Sequence, residues 1–185
     1  MKDKTVIAAH FERHLGRAKL VRRDSREALV PRHVYGAPPC EGRAHWVLHT
    51  LGAGILTLEG HDGADRYAEF VMSLPVDWIP SEQWPAYMFQ RASHAILNVG
   101  KAPDEGGVFF NSAESVPGSP HVFALLVAHA RQLGKHAQFR VPSGRLIDIY
   151  AMYPLTYDAW LSHQKHQLDI TSLPEVVVHW QDMLR

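Results

Sequence analysis

A single cysteine, Cys40, among 185 residues excludes an internal disulfide and suits a reducing compartment. No stretch approaches the ~18 apolar residues of a membrane-spanning helix. The N-terminal MKDKTVIAAHFERH breaks its apolar run with His, Glu and Arg too early for the apolar core of a secretory leader. Charge of one sign is missing as well: 19 Lys and Arg balance 19 Asp and Glu. No global field therefore draws nucleic acid or an anionic membrane. Repeats, low-complexity tracts and linkers are also lacking. These absences predict a cytoplasmic chain forming one domain over 1–185, with no direct contact to nucleic acid or membrane.

What is present is a globular composition, 46% hydrophobic and 21% charged. Val6, Ile7, Phe11, Leu15 and Ala18 recur at helical spacing and predict a helix over Val6–Lys19. The basic run Arg17–Arg26 then reads as that helix's solvated end. Val34–Ala44, with two Gly and two Pro, reads as a loop. Ala44–Gly52 reads as a strand, followed by a turn and a further extended piece, and Glu59–Arg66 as an exposed loop. In YAEFVMSLP, Ala68, Phe70, Met72 and Leu74 fall on one face while Tyr67, Glu69, Val71 and Ser73 fall on the other. That alternation predicts a half-buried strand ended by Pro75. A helix is expected over Trp84–Val99, with Ser81 close to its start and Pro85 near its first position. Further on come a strand in HVFALLVAHA, two extended runs joined at Pro142–Gly144, and a helix capped by Thr156 with Asp158 in its first turn. The tail from Ser172 is ambiguous between helix and strand. Interspersed strands and helices predict an α+β fold, a mixed or antiparallel sheet with helices packed against it.

The 13 histidines invite a metal reading. His45 and His49 lie four apart on a predicted strand, about 13 Å, too far for one zinc. His10 with His14 and His163 with His166 have helical chelate spacing. Neither pair carries the Glu and third His of a zinc protease, and Asp169 is a speculative third ligand for the second. Cys40 has no adjacent cation, no Ser sits in a nucleophile elbow, and the Gly-x-Gly of LGAGILTLEG lacks the third glycine and following helix of a phosphate loop. Trp46, Trp78 and Trp84 suit core packing better than an aromatic cleft. No catalytic residue, metal site or cofactor site is predicted. The alternative is a small histidine-rich hydrolase or metal-dependent enzyme.

The order of HWVLHTLGAG, YAEFVMSLPVDW, WPAYMFQRASHAI and GRLIDIYAMYPLTYDAW resembles the suppressor of fused domain family, most clearly over 44–167. Animal members add a C-terminal domain and sequester zinc-finger transcription factors of the Hedgehog pathway; this chain is similar to the short, single-domain bacterial form. The resemblance implies a non-enzymatic protein-binding domain, with a protein partner and no cofactor. For the bacterial form it implies an immunity protein that binds and blocks a polymorphic toxin, often a nuclease. It also suggests capture of an extended peptide along a sheet edge. The partner is expected at Asp62, Asp65 and Tyr67, in the loop before the central strand and at its start.

Overall fold

The computed structural model describes residues 2–23, 33–55, 57–60, 63–110 and 122–173. Helix α1 (Lys2–Leu15) presents Ile7, Phe11 and Leu15 on its buried stripe. It stops there because Gly16 takes a left-handed φ of 81° and its N–H returns to the Glu12 carbonyl. The basic run expected to extend the helix instead begins a strand, β1 (Lys19–Arg22); Arg23 is the last residue described before 33, so the rest of the run lies outside the described residues.

The segment expected to be a loop from Val34 begins as strand β2 (His33–Ala37), paired antiparallel with β1 and with β3 (Trp46–Leu51). Its glycine reflects crowding. A Cβ on Gly36 would lie 2.8 Å from a Val21 methyl and 3.3 Å from a Leu48 methyl, so only hydrogen fits as the three strands close up. After β2, Arg43 ties the turn down by donating to the carbonyls of Leu15 (2.7 Å), Pro38 (2.6 Å) and His45 (3.2 Å). One side chain thus joins the end of α1 to the β2–β3 connection.

Strands β4 (Thr57–Glu59) and β5 (Asp65–Leu74) form the next hairpin, so the loop expected over Glu59–Arg66 shortens to its tip. Helix α2 (Trp84–Val99) matches its predicted span, with Pro85 in the first turn and left-handed Gly100 closing it. Gln83 occupies the cap position, and Ser81 lies close to the start as expected. Strand β6 (Val108–Phe110), which the sequence reading passed over, is followed by β7 (Ala124–His129), then β8 (Gln138–Arg140) and β9 (Leu146–Leu155). Helix α3 (Tyr157–Gln164) is capped as expected: Thr156 Oγ1 accepts from the Ala159 N–H at 3.2 Å. The tail beyond 173 lies outside the described residues.

The strands form one mixed sheet ordered β1-β2-β3-β5-β9-β7-β6, with β4 beside β5 and β8 beside β9. Every pairing is antiparallel except β5 with β9, which run parallel at the centre with Phe70 opposite Tyr150. The fold is α+β, as the interspersed pattern predicted. Helix α2 covers one face, packing Trp84, Met88, Phe89 and Ile96 against Phe70, Met72 and Leu74. Trp78 caps this core edge-to-face on Trp46, ring centres 5.3 Å apart, and its indole N–H donates to the Glu82 carbonyl. On the other face α1 packs Ile7, Phe11 and Leu15 against Val47, Val71, Ile147 and Ile149.

Strand β5 is therefore buried on both faces, which corrects the half-buried reading: Glu69 and Val71 are 0% exposed, as is Phe70. Alternation of apolar and polar types predicted a wet face; α1 returns from the start of the chain to cover it. Val71→Asp should consequently be as destructive as Phe70→Asp, each placing an unpaired carboxylate in a dry interior at a cost of several kcal/mol. Urea titration followed by circular dichroism checks this. A cooperatively folded Val71→Asp protein would mean that α1 does not cover that face.

Candidate functional site

The residues expected to meet a partner separate in space. Asp62 lies outside the described residues. Asp65 opens β5, exposed, and Tyr67 is half-buried on the same face of the strand, packed against the α1-side core. The Arg145 guanidinium lies 5.0 Å from the centre of the Tyr67 ring, and Thr57 Oγ1 donates to the Tyr67 hydroxyl at 3.3 Å. Arg66, between them, points to the opposite face by strand alternation.

There it helps line a polar cleft of about 370 Å³. Register builds this cleft. Antiparallel pairing puts Gln138 of β8 opposite Asp148 of β9, and His129 of β7 opposite Tyr150 of β9. Gln138 Nε2 donates to Asp148 Oδ1 at 2.6 Å, and the His129 and Tyr150 rings stack with centres 5.8 Å apart at 22°. The loop after α2 supplies Asp104 and Glu105, the latter paired with Arg131 at 3.0 Å. Burial, then the nearby Asp148 charge, push the Tyr150 hydroxyl up to about 12, with Arg66 opposing. Sequence reading missed this site because its groups come from five separate segments. The only local signal was an Asp and a Tyr alternating with isoleucines in LIDIY.

The Gly-x-Gly turn does hold an acidic group, but one belonging to the chain itself. Glu69 Oε1 accepts from the N–H groups of Gly52 (3.0 Å) and Gly54 (2.9 Å), while Thr50 Oγ1 donates to Oε2 at 2.5 Å and accepts from the Phe70 N–H at 2.9 Å. Burial raises the Glu69 pKa; these hydrogen bonds oppose the rise. Every contact of the carboxylate is structural, with no room for a substrate.

The histidines stack instead of chelating. His10 lies flat on Phe139 at 3.8 Å, His14 on His136 at 4.0 Å, and His10 Nε2 meets the His136 carbonyl at 2.9 Å. Burial lowers the pKa of both His10 and His14, and mutual charge repulsion with His136 adds to it. His163 donates from Nε2 to the Gly106 carbonyl, whereas His166 follows the helix at a left-handed φ of 56°. That second pair therefore lacks the helical geometry its spacing suggested, and Asp169 instead caps a turn by accepting from the Thr171 N–H. Among the described residues no group of three or more His, Cys, Asp or Glu could hold a metal ion. No helix among them is long and apolar enough to cross a membrane.

No family model and no curated protein matches the sequence. Solved structures do match. The Sufu–Fu complex superposes with a TM-score of 0.59 at 17% identity, over 88% of this chain and 80% of the other. A protein described as a suppressor of fused homologue from Neisseria gonorrhoeae FA 1090 also gives 0.59, at 12% identity over 91% and 92%. The fold is thus suppressor of fused-like, as the order of the motifs suggested, and at such identities the likeness concerns the fold alone.

His49 makes a measurable demand on pH. It is 4% exposed beneath Phe11, ring centres 4.2 Å apart, and donates from Nδ1 to the Thr50 carbonyl. Burial lowers its pKa to about 4 from 6.5. Between those values the unfolded chain binds the proton and the folded chain does not, so stability falls as pH drops from 6.5 toward 4, by about 3 kcal/mol. Glu69 has the opposite sign: its raised pKa favours the fold at low pH and loses that contribution as pH rises. The His49 share is isolated by comparing pH-dependent urea unfolding of the wild type and His49→Gln. The variant should lose most of the slope; an unchanged slope would remove His49 as its source.

Proposed function

We propose that this suppressor of fused-like domain is a non-enzymatic protein-binding module, acting as an immunity protein that binds a toxin and blocks it. The observation that carries the reading is the likeness, over 88% of the chain, to a protein solved in complex with a protein partner. The polar groups themselves support it. The buried carboxylate and several histidines serve internal packing, so among the described residues no assembled nucleophile, base and oxyanion donor is offered to a small substrate. The resemblance to the short bacterial form supports a toxin, often a nuclease, as the partner.

Inhibition of this kind works by occlusion. A complementary surface covers the partner's active site, and a few anchors supply most of the affinity. The β4–β5 hairpin, with Asp62, Asp65 and Tyr67, is the proposed contact. Acidic residues there, with Asp65 exposed at the start of β5, would steer a basic partner, as a nuclease active-site rim is, more than they would tighten the final complex.

The test is co-expression with the product of the adjacent coding sequence, followed by calorimetric titration. A submicromolar one-to-one complex that silences the neighbour's toxicity is expected. Asp62→Lys combined with Asp65→Lys should weaken it roughly tenfold, mostly through a slower on-rate, with an unchanged thermal melt. No complex with that product would sink the toxin assignment, and a double variant of undiminished affinity would move the contact elsewhere.

A further inference from the structure

The cleft between the sheet and the loop after α2 has a floor that the fold leaves unfinished. Tyr150 is 7% exposed. Its ring is held between Phe70 and His129 at centre distances of 6.0 and 5.8 Å, and its hydroxyl has no hydrogen-bond partner among the described residues. A phenol buried this far normally finds a partner. Here it lines a cavity instead.

The charges around that hydroxyl have a sign. Asp104, Glu105 and Asp148 line the cleft together with one guanidinium, Arg66. Glu105 is matched from outside by Arg131. Asp148 takes the Gln138 amide on Oδ1, and its second oxygen accepts nothing from the described residues. At the Tyr150 hydroxyl the Asp148 charge acts against that of Arg66 and is the larger of the two influences. The hydroxyl remains protonated at neutral pH and offers its lone pairs. Beside it, the exposed His129 ring lies near-parallel to that of Tyr150.

An open carboxylate oxygen and a neutral hydroxyl acceptor together match a planar cation carrying several N–H donors. We infer that the cleft seats the guanidinium of an arginine carried by a protein partner lying across the β4–β5 hairpin, with Asp148 as counter-ion and the Tyr150 hydroxyl as acceptor. The source of that arginine rests on the protein-binding reading. The recognition itself does not, because Arg66 follows Asp65 on the strand and places the cleft directly behind the hairpin.

The probe is N-acetyl-L-argininamide, titrated into isotope-labelled protein while NMR follows the His129 ring, the Gln138 side-chain amide and the Tyr150 backbone amide. Saturable shifts at roughly millimolar concentration are expected for so small a ligand. N-acetyl-L-citrullinamide, of the same shape without the charge, should leave the resonances in place. Asp148→Asn keeps the Gln138 bond and should weaken binding roughly tenfold; Tyr150→Phe should weaken it several-fold with an unchanged thermal melt. Equal binding of the citrulline analogue, undiminished binding by Asp148→Asn, or saturation by inorganic phosphate in place of the cation would each overturn the assignment. Argininamide binding without any captured protein partner would sink the protein-binding reading and leave the arginine well standing. A captured partner that ignores Asp148→Asn, with no argininamide binding, would sink the well and leave that reading.

Discussion

A carboxylate with no access to solvent holds the centre of this molecule together. Glu69 sits in the middle strand and gathers the N–H groups of Gly52 and Gly54 with the Thr50 hydroxyl, which itself receives the Phe70 N–H. The chain leaving β3 has just ended its ladder there, and its amides would otherwise be buried without acceptors. One side chain of β5 thus closes the turn that allows β4 to come back alongside β5. An aliphatic residue of the same size would remove the desolvation cost of the carboxylate and orphan three donors, each worth about 1–3 kcal/mol when left unpaired.

From that fixed centre the two faces diverge in character. The α1 face is aromatic and rich in imidazoles: Phe11 on His49, His10 on Phe139, His14 on His136. Its polar atoms are spent on packing the helix. The α2 face is apolar under the helix and turns polar where α2 ends, and the cleft opens there because no helix covers Asp148 and Tyr150. The polar cleft therefore lies at one end of that face, next to the hairpin.

Much of this was legible in the residues. The Trp-Pro start and glycine end of α2, the Thr156 cap and the turn at Pro142–Gly144 are local signals, and the structure follows them. β1 and β2 were hidden because their evidence is not local: Gly36 reads as a breaker until Val21 and Leu48 close in on it. The alternation in β5 was correctly divided between two faces, and only the dryness of the second was missed, since α1 supplies that cover from some sixty residues away. The cleft was illegible for the same reason, its groups meeting only through strand register. Glu69 left a faint trace, an acidic residue between Ala68 and Phe70 in the otherwise apolar run from Tyr67 to Met72.

The parallel pairing of β5 with β9 has a consequence for how the chain comes to be folded. Tyr67 meets Ile147 across about eighty residues, at the very middle of the sheet. During synthesis β5 emerges long before its neighbour, with Phe70, Val71 and Met72 prepared for burial and one whole edge open. Until β9 leaves the ribosome, the first half of the domain is an unfinished sheet with an exposed apolar strand at its border. Such non-local closure favours slow folding, and it makes the interval before β9 arrives the one in which this protein most depends on being shielded from its neighbours.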